Sequence, residues 1–367
     1  MPKKTRKAAY FLLTHQYYGR PLDEGVVRAL LSAGYEIDMF ASALPEVDNI
    51  YPPTVRFLVV QYRLGWLRQN LNPIHWRKYD LFLGTSDLPM AVVGLLGALT
   101  GRKNVTICDE IYVGGYEGNA RSLWKRLAQF GMRRSTFTVI TDLCRIPLQQ
   151  EYAGLTKDHQ FVQFPCCFPD NKFIYDKKYW RNKLGIADDT CVISIAGATA
   201  HGAHLAINAL VDLPSRFRLL IQPGGSSIDK FTHATLQLLA RDGRIVYVPG
   251  RSPSYIEAMS LSQAVDIGLV FYLSEKAQFK EMGVSSNKLC MYLQMGKPVV
   301  ATRQDSFKFL EEFNAGILVN DEKELVNAIE IIADDYERYC QSALKCFLNY
   351  IQPEKHLQKM IQQFESI

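Results

Sequence analysis

Short apolar runs separated by amphipathic stretches recur along this chain in two successions. Residues 8–14, 35–41, 55–60, 80–85, 104–111 and 137–141 are brief runs of aliphatic and aromatic side chains, the pattern of buried strands. Helical segments lie between them. Residues 21–33 begin on a proline and stop before Gly34, the usual order at helix ends. Residues 88–100 read as a buried helix and residues 118–134 as a basic amphipathic one. Residues 163–178 break the pattern, with Pro165, Pro169, Asp170 and Asn171 and no helical period. A second succession follows: strand 191–196, helix 204–213, strand 217–222, helix 228–241, strand 244–248, helix 253–262 and strand 265–272. After a loop at 276–284 come a helix to about residue 295, a strand at 299–302, a helix and strand within 309–319, and tail helices at 334–349 and 354–364. Such alternation predicts parallel, doubly wound sheets, and its repetition on either side of a break predicts two domains.

The length of 367 residues agrees with two domains, and 48% hydrophobic with 22% charged residues is ordinary globular composition. No apolar run is long enough to span a bilayer. The basic N-terminus leads into an apolar run too short for a secretion signal, so it reads as the first strand. The eight cysteines form no C-x-x-C pair and mostly sit in apolar runs, as reduced core cysteines do. This predicts a reducing cytosol and no structural metal. Charge is uneven: residues 1–170 hold 20 Lys and Arg against 15 Asp and Glu, and the remainder 22 against 22. The excess in the first half predicts a face that meets an anionic surface, and a net charge of +5 is weak for nucleic acid.

The loop-to-helix junction after residue 284 carries the most specific chemistry. A helix N-terminus offers free N–H groups and partial positive charge, and here two hydroxyls, Ser285 and Ser286, and the cation Lys288 gather at one. That combination suits phosphate. The plainer reading is an α/β unit whose serines only cap a helix. The turn of residues 196–204, AGATAHGAH, has glycines that let backbone approach a phosphate, and His201 there could donate a proton. Two adjacent carboxylates, Asp109 and Glu110, end an apolar strand, where burial is costly unless they are used or paired. They are candidates for a general base, with a solvated loop or a salt bridge to Arg102 or Lys103 as the alternative.

Residues 285–302, SSNKLCMYLQMGKPVVAT, resemble the donor-site segment of GT-B glycosyltransferases, especially those of family 4. The matching positions are Asn287, Lys288, Leu289, Tyr292, Gly296, Lys297, Pro298 and Val299, and residues 309–319 resemble the helix and strand that follow. The sequence departs from the family at two glutamate positions, which here hold Gly283 and Met291, with Glu281 as a nearby carboxylate. It also lacks the Arg and Lys that the family places beside the first glycine turn.

The resemblance implies an α/β chain of two Rossmann-like doubly wound domains facing a cleft, with a C-terminal helix crossing back to the first. The expected boundaries are 1–168 for an acceptor-binding domain, 169–350 for a nucleotide-sugar-binding domain and 351–367 for the returning helix. The implied activity is retaining transfer of a sugar from a UDP- or GDP-sugar to a saccharide acceptor, lipid-linked or an envelope glycan. The donor would meet Gly197, Thr199, His201, Gly250, Arg251, Glu281, Ser285, Ser286, Asn287 and Lys288. His15, Tyr17 and Gly19 would face the acceptor, and Asp109, Glu110 and Lys288 would serve catalysis. No metal or cofactor is expected. The expected location is the cytoplasm, with peripheral contact to the inner face of an anionic membrane. The alternatives are a nucleotide-sugar epimerase of the same fold and a non-catalytic scaffold subunit.

Overall fold

The computed structural model describes residues 6–12, 20–42, 51–60, 72–110, 119–168, 177–197, 202–223, 240, 243–248, 255–274 and 276–367. The chain divides into two compact units, Met1–Pro169 with Pro353–Ile367, and Asp170–Gln352.

The first unit is built on a seven-stranded parallel sheet ordered β3-β2-β1-β4-β5-β6-β7. The strands are β1 (Arg6–Phe11), β2 (Tyr35–Ala41), β3 (Val55–Val59), β4 (Leu81–Thr85), β5 (Lys103–Cys108), β6 (Thr138–Ile140) and β7 (Phe161–Gln163). Strands covered on both faces read as continuous apolar runs, and Ala8, Ala9, Tyr10 and Phe11 of β1 are all fully buried. The helices Asp87–Thr100 and Asn119–Arg133 approach closely where two glycines meet. A Cβ on Gly94 would lie 2.3 Å from the Gly131 Cα, and one on Gly131 2.2 Å from the Met90 carbonyl.

The final helix, Pro353–Glu365, belongs to this unit. Its Met360 and Phe364 are fully buried in the same core as Val26 and Leu30 of the helix Pro21–Ser32. The Phe364 ring lies 5.4 Å from that of Phe137, and His356 Nδ1 is 3.1 Å from the Gln163 carbonyl. The expected return of the C-terminal helix to the first domain is borne out.

The second unit has a six-stranded parallel sheet ordered β10-β9-β8-β11-β12-β13. Its strands are β8 (Cys191–Gly197), β9 (Phe217–Pro223), β10 (Ile245–Tyr247), β11 (Ile267–Val270), β12 (Val299–Thr302) and β13 (Gly316–Val319). The order reverses at β8 and β11, which makes their carboxyl ends the switch point where open α/β sheets bind ligands. Both sheets match the expected α/β, doubly wound class.

Some elements differ from expectation. The strand expected over 104–111 stops at Cys108, so Asp109 and Glu110 leave the sheet. The segment 276–284 contains a short helix, Ala277–Lys280. A helix at Glu322–Asp334, unexpected from sequence, is capped by Asp321, whose side chain accepts the Glu324 N–H. Of the helix expected over 228–241, only residue 240 lies within the described residues.

Candidate functional site

The carboxyl end of β11 runs through Phe271 and Tyr272 and returns at the helix Asn287–Gln294. This helix buries Leu289, Tyr292 and Leu293 completely against the sheet. Gly268 of β11 makes room for it: a Cβ there would lie 2.2 Å from the Tyr292 ring. The helix ends at Gly296, in the left-handed conformation (φ +65°), and Pro298 follows.

Three side chains define the N-terminal end of this helix. Ser286 is the N-cap: its Oγ accepts the Leu289 N–H at 3.3 Å and lies 2.8 Å from the Tyr272 hydroxyl. Lys288 is buried, donates from Nζ to the Phe271 carbonyl at 3.3 Å, and sits 4.6 Å over the Tyr272 ring. Among the described residues no carboxylate pairs with it. Burial pushes its pKa from the ordinary 10.5 down to about 8. Asn287 leaves its Oδ1 buried without a partner among the described residues. Ser285 is buried beside them in the turn Gly283–Ser285. Gly202 opens the helix Ala203–Asp212 at φ +95° beside Phe271. A Cβ on Gly202 would lie 2.7 Å from the Phe271 ring, so only glycine fits against the residue whose carbonyl holds Lys288.

The sequence-derived donor set thus divides. Ser285, Ser286, Asn287 and Lys288 come together at one helix end. Gly197 closes β8 at the switch point, opposite Pro223 of β9. Glu281 ends the short helix Ala277–Lys280 and faces a separate cavity. Met291 is buried, and the Ser262 hydroxyl donates to its sulfur at 3.4 Å. Thr199, His201, Gly250, Arg251, His15, Tyr17 and Gly19 lie outside the described residues. Sequence reasoning did not single out Tyr272 or Gly202. An aromatic at the end of an apolar strand and a glycine opening a helix were the available signals.

In the first unit, Asp109 is buried at the carboxyl end of β5. Arg20 donates to its Oδ2 from both terminal nitrogens at 3.1 Å, and the Glu110 N–H and Ser86 hydroxyl reach Oδ1 at 2.9 and 3.4 Å. Its ion-pair partner is therefore Arg20, not Arg102 or Lys103; Arg102 lies 3.7 Å from Asp80. An oxygen already held by a guanidinium is badly placed to take a substrate proton. Glu110 is exposed beside it. Arg145, fully buried, donates to the Asp109 carbonyl at 3.3 Å and leaves Nε and Nη2 without partners among the described residues. Nearby, burial raises Asp23 to about 6; its Oδ1 accepts the Tyr10 hydroxyl and its Oδ2 has no partner among the described residues. Ser86, at the end of β4, has φ +73° and ψ 163°, a conformation that costs a non-glycine residue about 1–3 kcal/mol. The polar cluster of this unit gathers at its own switch point, between β1 and β4.

No protein-family model matches the sequence, and no curated protein matches it. Solved structures do. HepE of Anabaena in complex with UDP-glucose is 15% identical, with a TM-score of 0.74 over 98% of this chain and 100% of that one. The fold is that of the GT-B glycosyltransferases. WaaG, a glycosyltransferase involved in lipopolysaccharide biosynthesis, is 15% identical with a TM-score of 0.68, over 97% of this chain and 99% of that one. A putative UDP-N-acetylglucosamine 2-epimerase from Listeria monocytogenes is 12% identical with a TM-score of 0.66, over 99% and 96%. At such identities the GT-B likeness is one of architecture.

Proposed function

We propose that the chain is a GT-B glycosyltransferase that moves a sugar from a UDP- or GDP-sugar to a saccharide acceptor, lipid-linked or an envelope glycan, with retention at the anomeric carbon. One observation carries the reading: a buried Lys288, with no carboxylate partner among the described residues, in the first turn of a helix at the switch point of the second sheet. Helix N–H groups and an ammonium together hold a diphosphate and stabilise the charge that develops as it leaves. Asn287 and Ser285 stand at the same helix end, with Gly197 at the close of β8. Ser286 already caps the helix, so it positions the N–H groups more than it binds. Glu110, exposed at the end of β5, is the better-placed acceptor-side carboxylate, and Asp109 holds that segment through Arg20. HepE, bound to UDP-glucose, supports the donor class, and WaaG supports an envelope-glycan acceptor.

We further infer peripheral contact with the inner face of an anionic membrane. In the helix Asn119–Arg133, Leu123 is 52% exposed one turn from exposed Arg126, the mixture that rests on such surfaces. No helix among the described residues is long and apolar enough to cross a membrane.

A second reading, a non-catalytic subunit, draws on Met291, a buried thioether where family 4 members usually carry a ribose-binding glutamate. The experiment is incubation with a panel of UDP- and GDP-sugars, with and without lipid-linked saccharides, following nucleotide release and sugar transfer. Acceptor-dependent release supports the transferase. Binding without turnover supports the subunit, and sugar interconversion without acceptor an epimerase.

A further inference from the structure

Tyr272, just beyond the end of β11, touches both halves of the diphosphate site, the cation and the helix cap. The Lys288 ammonium lies 4.6 Å over its ring. Its hydroxyl lies 2.8 Å from the Oγ of Ser286, the N-cap of the helix Asn287–Gln294. The residue is itself held in place. Its N–H donates to the Thr302 hydroxyl at 3.1 Å, and its carbonyl accepts from Gln304 Nε2 at 3.1 Å. The rings of Phe279 and Phe307 each lie 6.2 Å from its own. A ring braced in this way is a fixed platform.

The cation needs a platform of this kind. Lys288 is buried, and burial favours the neutral amine. The Phe271 carbonyl takes one N–H of the ammonium at 3.3 Å. No carboxylate among the described residues pairs with it, and burial is the cause of its lowered pKa. A π face attracts a cation without closing its hydrogen-bonding shell, so N–H donors stay open to phosphate oxygens. A carboxylate in the same place would hold the charge more tightly but would compete with an incoming diphosphate.

The hydroxyl does the matching work for the helix. It fixes the Ser286 side chain, whose Oγ accepts the Leu289 N–H at 3.3 Å, and so fixes the direction of the other N–H groups in the first turn. We propose that Tyr272 is a positioning residue: its ring holds the Lys288 ammonium and its hydroxyl holds the helix cap, so that both meet one diphosphate. This role rests on the diphosphate reading of the site.

The test uses the full-length protein with Tyr272→Phe, and with a trifluorinated phenylalanine in place of Tyr272, a ring of similar shape whose π face is depleted. The charge on Lys288 is followed without nucleotide by NMR of isotope-labelled lysine, its resonance assigned with Lys288→Met. Affinity for UDP and for inorganic pyrophosphate is measured by calorimetry from about pH 6 to 9, on either side of the Lys288 midpoint near 8. Tyr272→Phe keeps the π face, so the midpoint should stay near 8, while UDP affinity falls about threefold at every pH. The fluorinated ring should lower the midpoint. Its UDP affinity should equal that of Tyr272→Phe at about pH 6 and fall short of it by up to about tenfold at about pH 9. The proposal is overturned if the fluorinated ring leaves midpoint and affinities where Tyr272→Phe has them, if it weakens both ligands equally at every pH, or if Tyr272→Phe binds UDP as tightly as the parent. A parent that binds neither UDP nor pyrophosphate sinks the diphosphate reading; the midpoint with the fluorinated ring then still decides whether Tyr272 holds the ammonium.

Discussion

The ammonium group of Lys288 lies 4.6 Å above the ring of Tyr272, a cation over a π face where no carboxylate among the described residues neutralises it. Its pKa, lowered by burial from 10.5 to about 8, gives two opposite pH responses. Affinity for UDP should fall as pH rises through about 8, because the ammonium loses its proton. Folding stability should rise from about pH 8 to 10.5, because there the unfolded chain binds a proton that the folded chain does not. Calorimetry near pH 8 in buffers of different ionisation enthalpy should show proton uptake on UDP binding. In Lys288→Met the uptake should vanish and turnover should be lost while the circular dichroism spectrum is retained.

Arg20 and Asp109 should behave as one unit. Arg20→Ala leaves a buried carboxylate without its guanidinium and should cost about 3–5 kcal/mol in urea denaturation. Adding Asp109→Asn should restore a substantial part of that loss. Equal stabilities of the single and double variants would contradict the pairing.

Asp23 predicts a response in acid. Its pKa is raised by burial from 3.8 to about 6, so between these values the folded chain holds a proton that the unfolded chain has released. Stability should therefore fall as pH rises from about 4 to 6, with Asp87, also raised to about 6, adding to the slope. Asp23→Asn should flatten the profile and gain on the parent above pH 6. Melting curves across that range check it.

Gly268→Ala would drive a methyl into the Tyr292 ring, 2.2 Å away, from a strand paired on both sides. The expected cost is about 1–3 kcal/mol in thermal unfolding. UDP affinity should fall as well, since the helix carrying Lys288 is the part that yields.

The periodic segments were legible because their patterns are local. Leu289, Tyr292 and Leu293 recur at helical spacing, and all three are fully buried. The helix Glu322–Asp334 carries the same kind of local signal: Asp321 caps it, and Leu325, Ala328, Ile329 and Ile332 form its buried stripe. Partnerships set by sheet order were not legible. Arg20 reaches Asp109 across 89 positions because β1, β4 and β5 lie side by side. Nothing near Asp109 in sequence points to Arg20, whereas Arg102, close in sequence, lies beside Asp80 instead. The burial of Lys288 was hidden for a similar reason, since the Tyr272 ring and Phe271 carbonyl belong to the preceding strand's end, not to its helix.

The helix Pro353–Glu365 also governs how the molecule is made. Met360 and Phe364 close a core whose other members are all translated much earlier. While the ribosome works through the second unit, the groove awaiting those two side chains stays uncovered and sticky. Expression of residues 1–352 should therefore give an aggregating product, and supplying 353–367 as a separate peptide should rescue it.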